Sequence, residues 1–247
     1  MAPLHGIGYK RSTMIRTLTQ LPPRTLYGAL EGPLLLLIWG FALGVLLWGS
    51  GVDVAIQLWL EDNYVQDFNT AMRVLGMVGK GSTQVGLCLL IGATWAACGW
   101  LKGEVNIYGV RKVLGAVPVF ALAGVVNWLM KWGIGRGRPK EFLWNGTDPY
   151  LMKPFSFDMK AQWWSFPSGH SCSTFAIAVW VGMAFPRFRW IFWSIATVLS
   201  FSRFLSLTPH YFGDVVAGAA VGAATAWGVW NLRILYHRAM RKVVRHV

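Results

Sequence analysis

Six stretches of the chain are apolar for long enough to cross a bilayer, near residues 33–59, 83–101, 113–131, 170–186, 189–207 and 212–232. A hydrocarbon layer of about 30 Å takes about 20 helical residues, and within it each backbone N–H and C=O must find its partner inside the protein. Repeated uninterrupted runs of that length point to an all-α polytopic membrane protein with six transmembrane helices. Composition agrees, because 55% hydrophobic and 13% charged residues leave too little charge to clothe a water-facing surface. Gly40/Gly44 and Gly218/Gly222 put small residues four apart on the first and last runs, a pattern suited to close helix crossings. Cys88, Cys98 and Cys172 form no disulfide framework and read as small buried residues.

A net charge of +13 would suggest nucleic acid in a soluble chain, but here the cations flank the apolar runs and crowd the termini. That placement is a topology signal, and no nucleic-acid partner is expected. Lys10, Arg11, Arg16 and Arg24 precede the first run, which reads as a retained span because the basic arm is too long for a cleavable leader. Lys102, Arg111 and Lys112, then Arg187 and Arg189, then Arg233, Arg238, Arg241, Lys242 and Arg245 fall on the same side if six spans alternate. The positive-inside rule puts that side, and both termini, in the cytoplasm. The organisation expected is a cytoplasmic arm at 1–32, one six-span domain at 33–232 and a basic cytoplasmic tail at 233–247. The 132–167 and 206–211 loops then face outward.

Three outward clusters concentrate chemistry. The first runs from Lys131 to Arg138-Pro139, with glycines at 133, 135 and 137 that release the chain from helix. A helix-end ammonium and a loop guanidinium can wrap one anion there, with Arg138 offering a planar fork to phosphate oxygens. The second is Pro167-Ser168-Gly169-His170. Ser168 is a candidate N-cap, and the free N–H groups behind it make an anion site that Gly169 leaves open. The third is Ser202-Arg203, then His210 and Asp214 at the start of the sixth helix. The i, i+4 spacing lets the Asp214 carboxylate meet one imidazole nitrogen, fix the tautomer and raise the His210 pKa.

Together the clusters resemble the signature of the type-2 phosphatidic acid phosphatase family, K-x6-R-P, P-S-G-H and S-R-x5-H-x3-D. Lys131, Arg138 and Pro139 match the first part, Pro167 to His170 the second, and Ser202, Arg203, His210 and Asp214 the third. Six residues, where the family has five, separate Arg203 from His210. Thr208-Pro209 interrupts helix at that point, so the extra residue is expected in the loop. The resemblance implies a membrane lipid phosphatase with its site at the non-cytoplasmic ends of helices 3–6. In that reading His210, oriented by Asp214, attacks phosphorus to give a phosphohistidine, and His170 protonates the leaving group. Lys131, Arg138, Ser168, Gly169 and Arg203 hold the phosphate oxygens. No carboxylate pair of the kind that holds magnesium accompanies the clusters, so no cofactor and no metal is expected.

The implied partners are a lipid phosphate substrate and the membrane lipids around it. Polyprenyl pyrophosphate, phosphatidic acid, phosphatidylglycerophosphate and the phosphates of lipid A all suit such a pocket. The location implied is a bacterial inner membrane with the site facing the periplasm or exterior. A lipid phosphotransferase would use the same nucleophile. A non-enzymatic lipid transporter would have no use for His170 and the His210–Asp214 pair. Trp128, Trp132, Trp144, Trp163 and Trp164 read as an aromatic belt on the outward side.

Overall fold

The computed structural model describes residues 25–104, 106–155, 160–207 and 209–244. The basic residues Lys10, Arg11, Arg16 and Arg24 of the expected arm, Thr208 of the 206–211 loop and Arg245 of the tail lie outside the described residues. Ten α-helices follow one another among the described residues: α1 (Leu26–Gly49), α2 (Val52–Asp62), α3 (Gln66–Val78), α4 (Gly81–Leu101), α5 (Ile107–Leu114), α6 (Ala116–Ile134), α7 (Pro139–Asn145), α8 (Gly169–Ala184), α9 (Arg189–Leu205) and α10 (Phe212–Val244). The described residues contain no β-strand. The Cys88 and Cys172 thiols are buried, but Cys98 is exposed.

Four helical stretches are long and apolar enough to cross a membrane: Leu26–Gly49, Gly81–Leu101, Ile107–Ile134 and Phe212–Arg241. α8 and α9 coincide with the fourth and fifth apolar runs but have 16 and 17 residues. The first run departs from expectation. Instead of one span over 33–59, the chain is helical from Leu26, breaks at Ser50-Gly51 and resumes as the short α2. Gly51 adopts φ +79°, which ends α1 and redirects the chain. The break leaves Asp53 fully buried.

α8 sits at the centre, packed against α10, α9 and α6. The expected small-residue faces are where backbones meet: α10 crosses α8 at Gly218 and Gly222, and α1 crosses α10 at Gly40 and Gly44. A side chain at Gly222 would overlap the Cys172 carbonyl, so this crossing admits hydrogen alone. The crossings bring the start of α8, the start of α10 and the end of α6 to one end of the bundle. There α3 lies across the end of α9, with exposed Phe68, Val74, Met77 and Val78 on its other face. A side chain at Gly79, which follows α3, would overlap His170 Nε2, so the α3–α4 junction is seated on that imidazole.

Candidate active site

The segment after α6 builds the site. Gly135 caps the helix with φ +64°, and Gly135 O accepts from Lys153 N at 2.8 Å. Two further backbone bonds tie residues 136–138 to 162–165: Ser165 N to Arg136 O at 3.0 Å, and Arg138 N to Gln162 O at 2.9 Å. This strap turns Arg136 into the protein while Arg138, at the N-cap of α7, stays half-buried. Trp163 departs from the expected aromatic belt. It is buried within the strap, with the Lys153 ammonium 4.4 Å from its ring centroid.

Arg136 is fully buried between two aromatic faces, 4.0 Å from the Tyr211 ring centroid and 4.5 Å from that of Trp48. Its Nη1 donates to Asp214 Oδ1 at 2.7 Å and to Asp53 Oδ2 at 2.9 Å. Asp53 also accepts from Gly213 N at 2.7 Å, which ties α2 to the start of α10. Asp214 Oδ2 accepts from Tyr211 N at 2.9 Å and from the Ser165 hydroxyl. Every oxygen of both carboxylates therefore has a donor, the condition for keeping charge in a dry interior.

His210 lies two residues before α10, so it precedes that helix instead of opening it. Six residues follow Arg203 before His210. Phe204 and Leu205 end α9, and among the described residues Ser206, Leu207 and Pro209 lie outside helix. His210 Nδ1 is 2.9 Å from Ser165 O and 3.5 Å from Asp214 Oδ2. A carbonyl only accepts, so Nδ1 carries the proton and Nε2 keeps its lone pair. The tautomer is thus set first by Ser165, with Asp214 alongside. Burial pushes the His210 pKa down to about 3, and the nearby Lys131 and Arg138 charges act in the same direction. Asp214 opposes them without prevailing, which reverses the expected upward shift.

The other site residues gather around this imidazole. Lys131 is buried at the last turn of α6 and donates to Trp164 O at 2.5 Å and Ser165 O at 3.3 Å. The Ser165 carbonyl therefore meets both the lysine and His210. Arg138 lies within electrostatic range of Lys131 and of Arg203. The Nε atoms of Arg138 and Arg203 are buried without a hydrogen-bond partner among the described residues. Ser168 caps α8 by accepting from Ser171 N, and its own N–H donates to Asp214 O at 2.8 Å. Its polar groups thus serve the cap and the α8–α10 junction. A Cβ at Gly169 would sit in ordinary van der Waals contact, 3.4 Å from Asn127 Nδ2 and 3.6 Å from Lys131 Cε, and the first N–H groups of α8 have no intrahelical acceptor. His170, in the same turn, lies near Arg203 and beneath Gly79. Among the described residues no three His, Cys, Asp or Glu side chains converge as a metal-binding group.

The profile of the PAP2 superfamily matches residues 112–237, just over half of the sequence and the part that carries all three clusters. The chain belongs to the PAP2 superfamily. Two curated relatives are the lipid A 1-phosphatases of Rhizobium johnstonii and Rhizobium etli. The first is 37% identical over 112 residues, 44% of this chain and 44% of that protein. The second is 38% identical over 116 residues, 47% of each. The chain therefore spans under half the length of the curated relatives it matches. A crystal structure of a transmembrane PAP2-type phosphatidylglycerolphosphate phosphatase from Bacillus subtilis superposes with a TM-score of 0.58 at 21% identity. The superposition covers 81% of this chain and 95% of that one, which shows a shared fold. The protein is an integral membrane member of this superfamily.

Proposed function

We propose that this PAP2 protein is a lipid phosphatase that transfers the phosphoryl group of its substrate to His210 and then to water. The observation that carries this reading is the state of His210: a buried, neutral imidazole whose Nδ1 proton is held by Ser165 O, beside the side chains of Lys131, Arg138 and Arg203. Nε2 attacks phosphorus, the ester or anhydride bond breaks, and the leaving oxygen takes a proton from His170. Water deprotonated by His170 then attacks the phosphohistidine, releasing phosphate and regenerating Nε2. Lys131, Arg138, Arg203 and the N–H groups at Gly169 and His170 carry the charge on the transferring group, and Ser168 holds that helix end in place. Asp214 stabilises the imidazolium character that develops on His210.

The substrate best supported is the phosphate of a lipid A-type glycolipid, because the relatives at 37% and 38% identity carry that activity in their names. We further assign six spans, α1, α4, α5–α6, α8, α9 and the body of α10, within one domain. The basic ends at Lys102, Arg111, Arg187, Arg233 and Arg238 then lie in the cytoplasm, and the site faces outward. A phosphate-release panel over lipid A, phosphatidic acid, phosphatidylglycerophosphate and polyprenyl pyrophosphate tests the reading. Fastest release from lipid A, absent in His210→Ala, is expected. No phosphate release from any of them, or phosphate passed only to an added lipid acceptor, overturns it.

A further inference from the structure

At the other end of the bundle a cleft of about 320 Å³ opens between α5–α6 and α10. Arg111, Gly115, Pro118, Val119 and Leu122 line one wall, with Val229 and Arg233 opposite and Trp180 of α8 as the floor. The first set is spaced at four, three, one and three residues, so it forms a single stripe. The stripe is cationic at Arg111 and apolar from Gly115 to Leu122, a run of about 10 Å. On α10, Arg233 lies one turn beyond Val229, so both walls end in a guanidinium at the same level. Arg233 stacks near Trp180 and Trp230, 5.7 Å from each ring centroid. Among the described residues no carboxylate lies within salt-bridge distance of either guanidinium.

Trp180 is fixed in place. Its Nε1 donates to Lys112 O at 2.9 Å, and a side chain at Gly115 would crowd its ring. Leu122 is 47% exposed, so the cleft opens to the lipid-facing surface. An apolar slot of this volume falls in the range of small-molecule sites. Two cations at its interfacial mouth are the arrangement that selects an anionic headgroup. Arg233 is 19 residues along α10 from Asp214, so this mouth is about 28 Å from the catalytic carboxylate.

We infer that this cleft is a second lipid site, which holds one anionic phospholipid with its phosphate between Arg111 and Arg233 and part of an acyl chain on Trp180. It lies in the leaflet opposite to the catalytic pocket and takes part in no hydrolysis.

The test is native mass spectrometry of the delipidated full chain in detergent, titrated with phosphatidylglycerol, phosphatidylcholine or glycerol phosphate. One phosphatidylglycerol should be retained by the wild type and by Arg138→Gln, which removes a catalytic-pocket cation. Retention should fall by roughly tenfold or more in Arg111→Gln/Arg233→Gln, since each interfacial cation contributes about fivefold. Leu122→Trp, which fills the slot from its exposed side, should have the same effect. Glycerol phosphate should not compete, because the headgroup alone lacks the chain. Undiminished retention in both variants, equal retention of phosphatidylcholine, or loss in Arg138→Gln would each overturn the inference.

Discussion

Arg136→Gln should be among the most damaging single changes in the protein, although Arg136 touches no substrate in this account. The guanidinium is fully buried and joins two equally buried carboxylates, at 2.7 Å to Asp214 and 2.9 Å to Asp53. Glutamine keeps a donor but no charge, so two carboxylates would share a dry site without a cation. Breaking a buried ion pair by removing one partner costs about 3–5 kcal/mol, a large part of a total stability of about 5–15 kcal/mol. At about 2–4 °C per kcal/mol for a chain of this size, thermal unfolding should move down by about 10 °C. Asp53→Asn in the same background removes one stranded charge and should recover about 1–3 kcal/mol, measured as a double-mutant cycle on detergent-purified protein. Turnover should fall in kcat more than in KM, because Lys131, Arg138 and Arg203 remain to bind phosphate. If Arg136→Gln unfolds with the wild type, or Asp53→Asn only adds further damage, Arg136 is not the counter-ion of the pair.

Three further outcomes are expected. His210 stays neutral in the folded protein down to pH about 3, whereas an unfolded histidine takes up a proton below about 6.5. The unfolded state then binds more protons, so stability is lost as pH falls from about 6.5 toward 3, by up to about 1.4 kcal/mol per unit. Thermal unfolding from pH 7 to pH 4 should be less pH-dependent in His210→Gln than in the wild type, and equal slopes would refute the buried neutral state. Gly79→Ala should lower kcat by displacing His170, whereas Gly86→Ala, with open space around it, should not; equal activities would show that the α3–α4 junction does not position His170. Excess chelator should leave activity largely unchanged, since a pocket built from Lys131, Arg138 and Arg203 offers a divalent cation nothing to bind. Loss on chelation with recovery on added magnesium would show the opposite.

Hydropathy located α4, α8 and α9 to within two residues at either end, because a lipid-embedded segment must be both apolar and continuous, but it stopped short of the end of α10 at Val244. It overran α1 because it has no access to backbone angles. The turn at Gly51 depends on a positive φ, and only its product, a buried Asp53, left a mark in the sequence. A carboxylate inside an apolar run is a functional signal in its own right and could have been read as one. The three motif clusters were legible because their side chains are chemically rare at helix ends. Arg136 stood in plain view between two glycines of the first cluster, but nothing in spacing alone says which of Arg136 and Arg138 turns inward. Ser165 was invisible for a different reason: its main contribution to His210 is a backbone carbonyl, which every residue possesses. The seat of α3 on His170 rests on an absent side chain at Gly79, a feature that only packing reveals.

Rapid-quench phosphate labelling shows whether His210 becomes phosphorylated during turnover. Purified protein mixed with a lipid substrate bearing labelled phosphate, then quenched in alkali, should carry acid-labile label on His210 within one turnover. Asp214→Asn should slow its formation, and His210→Ala should abolish it. Label that persists in His210→Ala, or phosphate release by the wild type with no label on His210 at any quench time, would contradict the account.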